Sequence, residues 1–183
     1  MLRVLYAVIL GLVGAGVVHI AILFMLPSYS ERDIWSQVSS VAGPYKAIPL
    51  NRETLKGTPP RPTNPFLSAA ACRFDLSDGP VHVTAPGAVP MWSMSIYDSD
   101  GLNVFGFNDR TATDKVLDLV VLTPPQMQKV RAEIPAGFER SVFVETGTEE
   151  GIVLVRVLMP DDTWQGVIDT FLGGLRCTPV PLE

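Results

Sequence analysis

The sequence predicts a mainly β domain with flanking helices, in a β-sandwich-like arrangement, and one transmembrane helix that precedes it. Two stretches carry this prediction. Between Cys72 and Arg110, short apolar runs alternate with Gly, Pro, Asp and Ser clusters, which is typical of short strands joined by tight turns. Between Val4 and Leu26 there is no Asp, Glu, Lys or Arg. A helix of that length, about 34 Å, crosses a hydrocarbon core of about 30 Å.

The composition indicates a folded chain and excludes one class of partner. Its 183 residues suit one domain plus an anchor. Hydrophobic residues make up 47% and charged residues 18%, a balance that argues against a disordered chain. The net charge is −5, and Lys and Arg are scattered singly. Nucleic acid is therefore not expected as a partner, because phosphates require clustered positive charge.

The apolar segment predicts an uncleaved anchor over residues 1–27, and a cleaved signal peptide is the alternative. The apolar part of a signal peptide is about 7–15 residues long and ends at small residues. Here the apolar run continues well past the small residues Gly14-Ala-Gly16. Arg3 and the amino terminus are positive, so the positive-inside rule predicts a cytoplasmic N-terminus and an outer, periplasmic domain.

Small residues recur on one face of the predicted anchor. Ala7, Gly11 and Ala15 are spaced four apart, which would let another membrane helix approach closely. The alternative is that such residues are simply common in membrane helices.

Residues 28–65 are predicted to contain a short helix followed by a proline-rich linker. The helix is expected to run to about Ala42, with Ile34, Val38 and Val41 on one face. Pro44 to Pro65 is polar and rich in proline, which favours an extended linker or a loop laid over the domain.

Residues 66–183 are predicted to form the β-rich domain. Asp98 to Gly101 predicts a hairpin turn, and a second hairpin is expected to pair Ser141–Glu145 with Ile152–Met159. The last helix is expected to present Trp164, Val167, Ile168 and Phe171 as its apolar face. The predicted strands are Ala70–Leu76, Val81–Ala85, Met91–Tyr97, Leu102–Phe107, Val116–Leu122, Ser141–Glu145 and Ile152–Met159, with helices at 123–133 and 162–172.

Two cysteines, Cys72 and Cys177, both follow the predicted anchor. In an oxidising compartment they would most simply form one disulfide. Two buried free thiols, which pack as small hydrophobes, are the alternative.

No catalytic or metal-binding constellation is evident. There is no histidine pair, no CxxC, no HExxH and no Gly-rich phosphate loop. His82, the one histidine after the anchor, lies on the polar face of its strand, where a solvent-facing or hydrogen-bonded role is expected. We therefore predict no cofactor and no metal, and we lean against an enzyme.

One group of side chains is a candidate patch for a ligand or a partner. Strand pairing around the Asp98–Gly101 turn would separate the first members of the group from the last, and a local ion pair or loop anchor is the alternative for Asp109 and Arg110. The group comprises Trp92, Tyr97, Asp98, Asn108, Asp109 and Arg110.

The same region resembles a known family. Phe74 to Val81 (FDLSDGPV), then Tyr97-Asp98, Asn103-x-Phe105 and Arg110 are similar to the bacterial domain-of-unknown-function 1254 family. The resemblance implies a β-rich fold, often outside the cytoplasm. Larger members carry a second domain of unknown function, so we expect a separate partner protein to supply that missing companion domain.

These observations predict a single-pass protein of the bacterial inner membrane, within the cell envelope, whose outer domain is a non-catalytic interaction module. One alternative is an envelope enzyme or small-molecule-binding protein that uses a pocket in the β domain. Another is a subunit that joins a larger membrane complex through the Ala7–Gly11–Ala15 ridge.

Overall fold

The computed structural model describes residues 1–30, 32–51, 54, 64–132 and 134–180. Nine strands form two sheets within these residues. The five-stranded sheet A has the order β1-β2-β8-β4-β5, and the four-stranded sheet B has the order β7-β6-β3-β9. The chain is thus mainly β with flanking helices, as predicted. The strands are β1 Ala47–Pro49, β2 Leu67–Asp75, β3 Val81–Ala85, β4 Trp92–Asp98, β5 Asn103–Asn108, β6 Leu117–Leu122, β7 Val142–Glu145, β8 Glu150–Leu158 and β9 Arg176–Pro179.

Two helices precede the sheets. Helix α1 spans Leu2–Ser30, and its segment Leu2–Met25 is long and apolar enough to cross a membrane, by length and composition. Helix α2 spans Arg32–Val41. Val38 packs with Ala71 of β2 and with two apolar residues of β8 on the outer face of sheet A. Helix α2 therefore covers part of the outer face of sheet A, over β2 and β8.

The two sheets share one hydrophobic core. Strand β3 shows why: Val81, Val83 and Ala85 are buried, and the residues between them are half-exposed. The same alternation sends Trp92, Met94 and Ile96 of β4 into the core from the opposite sheet. Along each strand, every second side chain faces the other sheet, and the side chains between them point to the outer face of their own sheet.

Two further helices close the domain. Helix α3 spans Pro124–Ala132 and buries Val130 against Val120 and Leu122 on the outer face of sheet B. Helix α4 spans Gln165–Gly173. Its buried residues are Ile168, Phe171 and Leu172.

The predicted apolar face of α4 is wrong in two of its four members. Trp164 and Val167 are exposed, at 36% and 46%. Trp164 precedes the helix, which begins at Gln165, so its side chain is not set by the helical repeat. The core-facing stripe is instead Ile168, Phe171 and Leu172, with the i, i+3, i+4 spacing of one helix face.

The predicted hairpin of the last two long strands is also wrong. β7 pairs in parallel with β6 in sheet B, whereas β8 runs between β2 and β4 in sheet A. Burial explains the difference. Gly151 to Val155 of β8 are all buried, which requires neighbours on both edges and both faces, while β7 is partly exposed and lies at a sheet edge. The turn between them therefore carries the chain from one sheet to the other.

A disulfide joins Cys72 to Cys177, as predicted. Cys72 lies on β2 of sheet A and Cys177 on β9 of sheet B, and both are buried in the shared core. The bond therefore links the two sheets directly. Half of the segment predicted as a linker, residues 52, 53 and 55–63, lies outside the described residues. β1 lies near the start of that segment and pairs with β2.

Candidate functional site

The predicted patch is divided between the two ends of the β4–β5 hairpin. At one end, Asp109 donates its backbone N–H to the carbonyl of Trp92 at 3.2 Å. At the other end Tyr97 pairs with Asn103 beside the turn. Tyr97 and Asp98 thus lie a full strand length from Asn108, Asp109 and Arg110.

Three members of the patch hold the local structure. The Asp98 carboxylate accepts from the backbone N–H groups of Asp100 and Leu102, at 3.0 and 2.8 Å, and so shapes the hairpin turn. The Asn108 side chain accepts from the Arg110 N–H at 3.0 Å. Trp92 is only 2% exposed, and its Nε1 donates to the carbonyl of Lys115 at 3.0 Å. These polar groups already have partners.

Tyr97 belongs to a different cluster, which sequence reasoning missed. Arg156 of β8 donates from Nη2 to the Tyr97 hydroxyl at 2.9 Å and from Nη1 to the Ser95 hydroxyl at 3.2 Å. All three lie on the outer face of sheet A, and Ser95 is 8% exposed. Within the described residues no carboxylate contacts the Arg156 guanidinium. The one signal in the sequence was a single charge inside the apolar run Ile152–Leu158.

His82 takes part in a second polar cluster, on sheet B. Its Nε2 lies 2.9 Å from an Asp118 carboxylate oxygen, which also accepts a hydrogen bond from the Ser141 hydroxyl at 2.6 Å. The ring of Phe138 meets the imidazole edge-on at 4.8 Å. His82 is hydrogen-bonded, as predicted. Because Ser141 donates to the carboxylate and not to the imidazole, its hydroxyl is not placed as a nucleophile activated by His82.

A shallow depression lies beside this second cluster. Thr84 of β3 is opposite Asp118 on one side and Arg176 on the other, so groups of opposite charge flank it. These three residues line the depression, of about 290 Å³, together with Pro86 and the end of α4. Among the described residues no three His, Cys, Asp or Glu side chains come together as metal ligands.

The free edge of β5 is the most distinctive surface of the domain. β5 is the last strand of sheet A, and its residues are exposed or half-exposed. The bond from Asp109 to Trp92 identifies their pair as hydrogen-bonded, so alternate residues of β5 bond to β4. Gly106, opposite Ser95, then points its N–H and C=O away from β4. In the described part of the chain no other group bonds to them.

The positions on either side of Gly106 differ from it in backbone hydrogen bonding or in register. Asn108 also points its backbone outward, but its carbonyl accepts from the N–H groups of Thr111 and Ala112, both at 3.1 Å. On the other side of Gly106 the register shifts between Ile96 and Tyr97. Gly106 is thus at the centre of a short open stretch of edge.

Comparison with solved structures identifies the fold. A crystal structure of a protein from Vibrio parahaemolyticus is similar with a TM-score of 0.59 at 14% identity, over 85% of this chain and 39% of that one. An uncharacterized protein from Burkholderia cenocepacia is similar with a TM-score of 0.48 at 17% identity, over 84% and 42%. The chain therefore spans about two-fifths of the length of these proteins.

Comparison with sequence families agrees with the resemblance seen in the motifs. No curated protein matches the sequence. The model of a family described as "Protein of unknown function (DUF1254)" matches residues 59–179, well over half of the chain. This protein belongs to the DUF1254 family.

Proposed function

We propose that this protein is a membrane-anchored, non-catalytic interaction module of the cell envelope, which binds an extended segment of a partner protein along the edge of β5. The observation that carries the proposal is the outward-facing N–H and C=O of Gly106, which have no partner among the described residues. An added strand would satisfy both groups with two main-chain hydrogen bonds, the usual mode of β-augmentation.

The other three sheet edges are less suited to adding a strand. β1 is three residues long and ends in Pro49, and β9 ends in Pro179, neither of which donates a hydrogen bond. β7 has four residues. β5 has six residues, Asn103–Asn108, with no proline and no charged side chain. Uncharged edges without proline are the ones that recruit another strand.

The proposed location follows from α1 and the disulfide. The segment Leu2–Met25 has the length and composition of a membrane span. The Cys72–Cys177 disulfide favours an oxidising compartment outside the cytoplasm. With Arg3 on the inner side, the positive-inside rule then favours a cytoplasmic N-terminus and a periplasmic β domain at the inner membrane.

The proposed partner is a protein that supplies the second domain of larger family members. This chain matches 39% of a longer protein of similar fold. The β5 edge offers such a companion a strand to pair with.

The test is a pull-down with matched variants at Gly106. Full-length wild type, Gly106→Pro and Gly106→Ala are purified from native membranes in mild detergent. Proline removes the outward N–H and costs no bond to β4, while alanine keeps the N–H. We expect a stoichiometric companion with wild type and Gly106→Ala and its loss with Gly106→Pro. Equal recovery with all three variants, or recovery of the chain alone, contradicts the proposal.

A small-molecule-binding protein is the second candidate. The depression between Asp118 and Arg176 favours it, because a ligand with both an acidic and a basic group would meet a partner on each side of Thr84. A thermal-shift screen of the full chain tests this candidate. A specific ligand should raise the midpoint in wild type and not in Arg176→Gln.

A further inference from the structure

The Arg156 guanidinium is a positive charge that contacts no carboxylate among the described residues. Its two Nη atoms donate to the neutral hydroxyls of Ser95 and Tyr97. Elsewhere on the domain, Arg73 pairs with Glu150 and Arg140 pairs with Asp114. A partly buried arginine that bonds only to neutral groups retains N–H donors and charge for an anion, and its planar fork matches the two oxygens of a carboxylate.

Gly106 leaves an open position on the sheet face near this charge, at the free edge of β5. Arg156 leans over β4 towards Ser95, and Gly106 of β5 lies directly opposite Ser95. Gly106 has no side chain, and nothing lies within 4 Å of the position that a Cβ would occupy. The outer face of sheet A is therefore open above Gly106, next to Ser95, whose hydroxyl accepts from Arg156.

The register of an added strand decides which of its side chains lies beside Gly106 on the outer face of sheet A. A residue that exchanges both hydrogen bonds with Gly106 in an antiparallel pair lies directly opposite it, and its side chain points to the same face. Its Cα would lie about 10 Å from the Cα of Ser95, two strand spacings away. A glutamate side chain covers about half of that distance, and Arg156 already covers part of the rest.

We infer that the partner segment is an extended strand with a glutamate opposite Gly106, whose carboxylate forms a bidentate pair with Arg156. This inference rests on the proposed function, because it needs the strand at the β5 edge. Aspartate is one methylene too short to span Gly106. Lysine or arginine at that position would be repelled by the guanidinium, so the same contact selects among partners.

The β5 strand of a second copy of this chain does not supply the carboxylate. An edge-to-edge dimer through β5 would place one of Asn103–Asn108 opposite Gly106, and that strand contains no acidic residue. A symmetric dimer through β5 therefore lacks the glutamate, and the inferred occupant is a strand of a different protein.

The test uses a phage-displayed library of random peptides presented to the full-length protein in lipid nanodiscs. We expect enrichment of extended peptides with alternating apolar residues and one recurring glutamate. Affinities of an enriched synthetic peptide and of its Glu→Gln version are then measured with wild type, Arg156→Gln and Gly106→Pro.

The wild-type protein should bind the glutamate peptide about tenfold more tightly, or better, than the Gln version. Arg156→Gln should bind both peptides equally, and Gly106→Pro should bind neither. The Glu→Gln comparison needs no change in the protein, so it stays valid if Arg156→Gln folds poorly.

Two results overturn the inference in distinguishable ways. Peptides that bind at the edge without an acidic preference, unaffected by Arg156→Gln and lost with Gly106→Pro, remove the glutamate pairing and leave the proposed docking edge intact. Failure to enrich any peptide, or binding that Gly106→Pro leaves unchanged, removes the docking edge and the glutamate together.

Discussion

Two glycines in strands, Gly151 and Gly106, have opposite surroundings. A Cβ on Gly151 would lie 2.6 Å from the carbonyl oxygen of Tyr97 and against the ring of Phe74. A Cβ on Gly106 would meet nothing within 4 Å. The first glycine is required by packing, and the second leaves a surface open.

Gly151→Ala is therefore expected to destabilise the domain by about 1–3 kcal/mol, because β8 and the Phe74 ring would have to move apart. Urea denaturation of the protein in detergent measures the difference. Gly106→Ala is the matched control and should stay within about 0.5 kcal/mol of wild type. Equal stability of the two variants would show that β8 can shift enough to accommodate a Cβ at Gly151.

Tyr45 links the chain after α2 to the end of β2. Its hydroxyl donates to the carbonyl of Asp75 at 2.6 Å and lies 3.0 Å from an Asp78 carboxylate oxygen. Burial, followed by the hydrogen bond to Asp78 and its charge, raises the pKa of Tyr45 from 10.0 to about 12. The neutral phenol is thus favoured in the folded state.

The contribution of Tyr45 to stability should be complete below pH 10 and should disappear as the pH rises towards 12. Over that range the unfolded chain ionises first, which lowers the free energy of unfolding. Tyr45→Phe should cost about 1 kcal/mol at neutral pH and show a smaller loss between pH 10 and 12. Denaturation midpoints at several pH values measure both effects. Parallel pH profiles for the two proteins would contradict the assigned pKa.

At the level of elements, β7 and β8 show what a local pattern can and cannot predict. Both strands were predicted within a few residues, because apolar and β-branched residues cluster in each of them. Their pairing with each other was wrong. Two strands joined by a short turn usually form a hairpin, but the burial of β8 on both faces placed it between β2 and β4.

The Cys72–Cys177 disulfide acts between elements, since it joins a strand of each sheet across 105 residues of chain. A double Cys→Ala variant should lose about 2–4 kcal/mol of stability, less than the roughly 4.7 kcal/mol of the chain-entropy model for a loop near this length. Chemical denaturation with and without reductant measures the loss. Reductant should weaken wild type and leave the variant unchanged, whereas a wild type insensitive to reductant under unfolding conditions would contradict a stabilising role.

Over the whole molecule, the sequence was sufficient for the fold class, the family and the disulfide. Each depends on a signal within a short window or on a simple count: period-two alternation in Val81–Ala85, the FDLSDGPV motif, and two cysteines after an apolar segment. The six patch residues are divided along the β4–β5 hairpin, as the expected strand pairing implied. Of the six patch residues, Tyr97 joins the cluster around Arg156, whereas Trp92, Asp98 and Asn108 support the hairpin and its flanking turn.

What the sequence determined by itself is the helices and seven of the nine strands, all but β1 and β9, because turn chemistry and alternation act between near neighbours in the chain. What only the tertiary structure decided is which strands became neighbours. Arg156 and Ser95 are 61 positions apart and meet because β8 and β4 are adjacent in sheet A. Gly106 lies on an open edge because β5 is the last strand of that sheet within the described residues. Burial of apolar area from the whole chain sets that order, and no local segment carries it.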